Sequence, residues 1–234
     1  DLTQLIARER NLSVDTLEFD KLMNEQKNRS RASRKNINMG SELPHTEFIS
    51  QFVGYDIFQT QANILFIQDN LLVCDITPFY SESGGQVSDT GKIVIDGTSY
   101  EVIDVKKNGQ AIFHLLDRNV ETNSQVAYLE IDYSRRKRIM RNHSATHLLH
   151  EALRTVLGNH IKQAGSLVAP DYLRFDFNHF EKPSQEQLSI IEDMVNSKIF
   201  NHVKVSIEEV DLVEAQKNQK IKMFFGDKYG ERVR

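Results

Sequence analysis

The residues best suited to chemistry lie between positions 135 and 150. His143 and His147 are four apart, a spacing that on a helix sets both imidazoles one turn apart on one face, within reach of a single metal ion. His150 falls near the same stripe. Ser144 stands where a His-Glu-x-x-His metalloprotease carries its glutamate base, so that chemistry is not indicated. Spacing alone also fits a polar helical face whose histidines meet solvent or backbone, and two histidines do not close a tetrahedral shell. Arg135, Arg136, Lys137, Arg138 and Arg141 add five positive charges just before the pair. Such a run grips phosphates without reading bases, although a lone basic run is more often a solvated helix start. Placed beside a histidine pair, it points to a phosphodiester or an RNA-borne ester.

A second string, Ser83-Gly84-Gly85-Gln86, follows Thr77-Pro78-Phe79-Tyr80-Ser81-Glu82 and precedes Asp89-Thr90-Gly91. Paired glycines allow close backbone approach or left-handed dihedrals, and their amides could hold an anion. The pattern is neither a Walker loop nor a dinucleotide fingerprint, and a turn between strands is the simpler reading. Cys74 sits in an apolar run and reads as a small buried residue.

Three kinds of element must position these groups. Residues 1 to about 41 read as a basic amphipathic helix, with Leu17, Phe19, Leu22, Met23 and Gln26 on or near one face and Lys21, Lys27, Arg29, Arg31, Arg34 and Lys35 around the rest. Pro44 closes that segment. From Phe48 to about Tyr133 short apolar runs, 63–67, 71–76, 93–95, 100–105 and 111–116, alternate with the turn signals Gln68-Asp69-Asn70, Asp96-Gly97 and Asn108-Gly109. Both central residues of the favoured hairpin turns need positive φ, so this stretch predicts a small antiparallel barrel, in positions 45–133. From 134 onward the pattern is α+β. A helix runs to about Leu157 with Gly158 as its stop, then a strand covers 173–177. A second helix opens at Pro183 and reaches about Phe200 with Leu188, Ile191, Met194, Val195 and Ile199 on its buried stripe, followed by a strand over 203–210 and a short helix over 212–217.

Composition narrows the class. The chain has 234 residues, of which 39% are hydrophobic and 26% charged, enough for a sizeable core and inconsistent with disorder. One cysteine excludes an internal disulfide and a four-cysteine zinc site. No apolar run approaches the roughly 20 residues of a membrane helix, and no signal-like stretch opens the chain, so no membrane association and a cytoplasmic setting are expected. The net charge of -4 means that nucleic-acid binding would rest on local basic clusters rather than bulk attraction. A start at Asp1 without methionine suggests part of a longer protein.

Several strings in order resemble the editing region of alanyl-tRNA synthetase of the bacterial or organellar kind. They are Thr77 to Gln86 with Asp89-Thr90-Gly91, the family's glycine-rich motif, and Arg141-Asn142-His143-Ser144-Ala145-Thr146-His147-Leu148-Leu149-His150, its first zinc motif. Gln163, Gly165-Ser166-Leu167-Val168, Leu173-Arg174-Phe175-Asp176-Phe177 and Phe225-Gly226-Asp227-Lys228-Tyr229-Gly230-Glu231-Arg232-Val233-Arg234 continue the match. The resemblance implies the tail of a helical tRNA-recognition region at 1–41, a translation-factor-like barrel at 45–133 and an α+β editing domain at 134–234. It implies hydrolysis of tRNA(Ala) mischarged with serine or glycine, errors that an alanine pocket cannot strongly reject. His143 and His147 then match zinc ligands, Thr146 and Gln163 match editing-pocket residues, and Arg135, Arg136, Lys137, Arg138 and Arg141 face the tRNA acceptor end. His150 is outside the matched ligand set. The family's zinc site is completed by a Cys-x-x-x-His motif that these 234 residues do not contain, so weak or absent zinc binding is expected. ATP belongs to the family's charging domain, which is also outside this sequence, and the remainder of a synthetase chain is the expected partner. A free-standing editing protein of the same superfamily and a non-catalytic tRNA-binding module are the competing readings.

Overall fold

A computed structural model describes residues 7, 10, 12–25, 43–44, 47–202, 204–206, 208–218 and 231–233. The chain divides into two compact units, 1–45 and 46–234. In the first, residues 16–25 are helical, and the Asp15 carboxylate accepts from the Glu18 amide at 2.9 Å, which caps the first turn. Leu17 and Phe19 of this helix are exposed. The expected continuation to 41, with most of its basic residues, lies outside the described residues.

The second unit begins with the barrel. Its strands are β1 (Gln51–Phe52), β2 (Gln59–Gln68), β3 (Leu71–Cys74), β4 (Ile76–Thr77), β5 (Gly91–Ile95), β6 (Thr98–Asn108), β7 (Ala111–Leu116) and β8 (Val126–Ile131). Six of them close in the order β2-β3-β7-β6-β5-β8, each pair antiparallel, while β1 and β4 form a short parallel pair. Closure leaves the barrel without free sheet edges. Two of the hairpin turns are where the pattern placed them: Asp96 and Gly97 both take positive φ, of 50° and 77°, between β5 and β6, and Asp69 takes 54° between β2 and β3; the third is centred one residue later than expected, on Gly109 and Gln110, because Asn108 pairs with Ala111. Inward residues such as Leu72, Phe79, Ile93, Ile95 and Leu129 pack into one apolar core. Cys74 is fully buried there, and burial pushes its thiol up to about 12, so it is a packing residue.

His114 is a fully buried polar residue of the barrel, as is Thr77 beside it. Its Nδ1 donates to the Leu72 carbonyl at 3.1 Å, its Nε2 accepts from the Thr77 hydroxyl at 2.8 Å, and Phe79 packs edge-on against the ring. A neutral imidazole is satisfied by this pair of partners, and burial lowers its pKa to about 4.

The remainder contains α1 (Tyr133–Leu157), β9 (Gln163–Val168), β10 (Leu173–Phe177), α2 (Gln185–Phe200), β11 (Val210–Asp211), α3 (Leu212–Lys217) and β12 (Arg232–Val233). Ser184 and Gln187 form a capping box that starts α2 just beyond Pro183. β9 and β10 make an antiparallel hairpin, and a small core joins it to the helices through Leu153, Ile161, Ile191 and Phe175. Two expectations need correction. Of the predicted α2 stripe Ile191 is buried and Met194 and Val195 pack against the same core, whereas Leu188 and Ile199 are exposed. Among the described residues of the strand predicted over 203–210 only Val210 is paired, opposite Val233, and Asp211 just beyond it pairs with Arg232; Val205 is exposed, and alternation without a neighbouring strand supplies no ladder.

A candidate site where the barrel meets the long helix

Helix α1 begins where β8 ends. Asp132 accepts from the Arg135 amide at 2.9 Å as the N-cap, and after 25 helical residues Gly158 ends the helix at φ 117°, its amide bonded to the Arg154 carbonyl. Four-residue spacing brings the His143 and His147 rings into a stack, centroids 5.2 Å apart and 28° between planes. Solvent still reaches both rings. Partial burial lowers both pKa values, and the neighbouring His147 lowers that of His143 further, so both imidazoles are neutral near pH 7. Thr146 is buried on the same side, and its hydroxyl donates to the Asn142 carbonyl one turn back at 2.8 Å.

Opposite this face stands the β9–β10 hairpin. Gln163, at the start of β9, and Phe175, in β10, line one pocket with His143, Thr146 and His147. Its enclosed space is about 20 Å³, the room of about one water molecule. His150, kept apart from the pair by its sequence context, is 3% exposed, lines the same pocket and packs on Phe175 with centroids 4.9 Å apart.

The glycine string reaches the pocket from the barrel. Ser83 and Gln86 exchange backbone hydrogen bonds around a turn in which Gly84 and Gly85 hold φ of 60° and 84°. A Cβ on Gly85 would stand 2.5 Å from the Ser166 carbonyl oxygen, so the residue must be glycine for two reasons: handedness and close approach. The turn is laced onto β9 by Val168 N to Gly85 O at 2.7 Å and Val87 N to Val168 O at 3.1 Å. Gln86 Oε1 then lies 2.8 Å from His143 Nδ1. The simple turn reading is thus incomplete: the turn exists, and it docks a barrel loop on the histidine helix. No local pattern signals this pairing, since 57 residues separate its partners.

The five basic residues separate into two groups. Arg136 is 5% exposed, and its guanidinium is consumed by Asp89, by the Gly54 carbonyl at 2.6 Å and by the Pro78 carbonyl at 3.1 Å. This corrects the expectation that it faces RNA: a buried guanidinium needs a fixed carboxylate partner, and Asp89, 1% exposed, is that partner. Arg135 also turns inward, donating to the Ser88 carbonyl at 2.7 Å. Lys137, Arg138 and Arg141 remain exposed; Lys137 lies over the Tyr133 ring, and Arg138 meets the exposed Asp171.

His143 and His147 would supply two nitrogen ligands to a metal ion, and among the described residues no group of three or more histidine, cysteine or acidic side chains is arranged to hold one. The donors present fit half of a tetrahedral shell. Among the described residues no helix is long and apolar enough to cross a membrane.

Comparison with known proteins adds three facts. Residues 1–135 match the family model of tRNA synthetases class II (A). An alanine-tRNA ligase of Fusobacterium nucleatum is 40% identical over 247 residues, covering all of this chain and 28% of the relative. Alanine-tRNA ligases of Bacteroides fragilis, 42% identical over 242 residues, and Methylacidiphilum infernorum, 43% over 238, likewise cover all of this chain and 28% and 25% of their own lengths.

Proposed function

The chain belongs to the class II (A) tRNA synthetase family, and from that premise we propose that it is an editing region that hydrolyses the ester of tRNA(Ala) mischarged with serine or glycine. It spans about 28% of the length of curated relatives such as that of Fusobacterium nucleatum. The observation that carries the reading is the convergence of two neutral imidazoles, the Thr146 hydroxyl and Gln163 around a water-sized space.

Each group has work to do in ester hydrolysis. Water attacks the carbonyl carbon and must lose a proton, while the ribose oxygen that leaves must gain one. Neutral imidazoles hold lone pairs for such transfers, and a water held between them is oriented before it reacts. Thr146 has committed its proton to Asn142, so its oxygen faces the pocket as an acceptor. Gln163 offers one amide donor set and one acceptor at the β9 end, suited to a small polar amino acid. The hydroxyl of serine would pair with such groups, and discrimination built on a paired hydroxyl exceeds what an apolar pocket achieves.

Zinc is the proposed cofactor, held by His143 and His147 and held weakly because two imidazoles leave the other positions to water. When bound it would supply Lewis acidity to a carbonyl oxygen or to water. The proposed partner is the acceptor end of tRNA(Ala), gripped through Lys137, Arg138 and Arg141. Release of serine from seryl-tRNA(Ala), set against alanyl-tRNA(Ala) as the spared substrate, tests the assignment. Salt-sensitive binding without ester loss would favour a non-catalytic tRNA-binding module.

A further inference from the structure

We propose that Gln86, a barrel residue, is a positioning residue for the histidine pair: it fixes His143 as the Nδ1–H tautomer and so leaves the lone pair on Nε2. The inference concerns the same pocket and rests on the editing reading only for its activity arm.

Three observations converge. Gln86 Oε1 and His143 Nδ1 are 2.8 Å apart, a hydrogen-bond distance in which an amide oxygen can only accept, so the ring nitrogen must donate. Gln86 is 8% exposed, so its amide has little water to turn to if that hydrogen bond breaks. The backbone around it is held from both sides, by the Ser83 bonds within the turn and by Val87 N to Val168 O just beyond it. The amide is therefore delivered by a rigid support.

The consequence for chemistry follows from the two nitrogens being unequal. A neutral imidazole carries one proton; in water the Nε2–H form is favoured, and a carbonyl-type acceptor at Nδ1 reverses that preference. With the proton on Nδ1, Nε2 is the only atom of His143 that can accept a proton or bind a metal. Partners of this kind orient the ring as well as choose its tautomer, and removing them typically costs about 10- to 100-fold in metal affinity or activity. Gly85 acquires a purpose for the same reason. Only a residue without Cβ lets the turn approach Ser166 closely enough to bring Gln86 to the helix.

The test compares the whole chain with Gln86→Leu and Gln86→Glu, without metal and at pH 8, where both imidazoles are neutral. Nitrogen-15 NMR of the histidine rings reads the tautomer directly. Wild type and Gln86→Glu, which keeps an acceptor oxygen, are expected to show His143 as Nδ1–H, and Gln86→Leu to revert to mainly Nε2–H. Far-ultraviolet circular dichroism and the melting temperature check that Gln86→Leu stays folded. If it unfolds, the wild-type tautomer alone decides. An Nε2–H form in the wild type, or an unchanged tautomer in folded Gln86→Leu, overturns the proposal. In the activity arm, Gln86→Leu lowers kcat for seryl-tRNA(Ala) hydrolysis at least ten-fold with KM unchanged, and Gln86→Glu recovers much of it. A wild type inactive on seryl-tRNA(Ala) refutes the editing reading while leaving the tautomer result to judge this one.

Discussion

The carboxylate of Asp89 and the guanidinium of Arg136 form an ion pair buried at the seam between the barrel and helix α1, with 1% and 5% of the two residues exposed. The same guanidinium holds the Gly54 and Pro78 carbonyls, so one side chain ties three segments of the barrel to the helix that carries the histidines. Removing one partner of such a pair leaves an uncompensated buried charge, which costs about 3–5 kcal/mol. Asp89→Ala or Arg136→Ala should lower unfolding stability by that amount in urea titration. Arg138→Ala, whose partner Asp171 is exposed, should change it by no more than about 0.5 kcal/mol. Equal effects would remove the distinction drawn between the two arginines.

Acid should weaken the barrel through His114. An unfolded histidine titrates near 6.5, and burial lowers the folded value to about 4. Between these values the unfolded chain binds the extra proton and the folded one does not, so stability falls as pH drops from about 6.5 to about 4 and levels off below. The gap is worth about 3 kcal/mol. Chemical denaturation across this pH range should show the decline, and His114→Gln should flatten that portion of the curve.

Gly85→Ala should cost more than Gly97→Ala. Both residues have positive φ, but a Cβ at 97 meets nothing within 4 Å, whereas one at 85 meets the Ser166 carbonyl at 2.5 Å. Handedness alone costs about 1–2 kcal/mol at either position. At 85 the turn must also move away from β9, and thermal melts together with seryl-tRNA(Ala) hydrolysis should both report the displacement.

Removing Lys137, Arg138 and Arg141 together should weaken tRNA binding and reduce the slope of log affinity against log salt by about 1 for each phosphate that is no longer neutralised. Arg136→Lys, by contrast, should leave the salt slope unchanged, because that side chain faces Asp89.

Zinc should be retained weakly or not at all. Equilibrium dialysis of the 234-residue chain should give either no bound zinc or zinc that a mild chelator strips readily, as expected for two imidazoles and water. One tightly held zinc per chain, abolished by His143→Ala or His147→Ala, would contradict this.

Much of the frame was legible from local pattern. β7, β10 and α3 occupy the predicted 111–116, 173–177 and 212–217, and Gly158 stops α1 as expected. The closing strand β8 went unnamed because no Asn-Gly or Asp-Gly signal announces it. Within the site, the histidine pair was visible because helical periodicity is local. The hydrogen bond from His143 to Gln86 and the Arg136 clamp were not, since each joins residues 47 or more positions apart through the packing of separate elements. Nothing in the run Arg135-Arg136-Lys137-Arg138 marks the second arginine as buried; the inward direction appears only once α1 lies on the barrel.

The most direct measurement is serine release from seryl-tRNA(Ala) by this chain, beside His147→Ala and a protein-free control. An editing site predicts hydrolysis above the control, at least ten-fold slower in His147→Ala, with alanyl-tRNA(Ala) spared. Ester cleavage no faster than the control, with salt-sensitive tRNA binding intact, would contradict it.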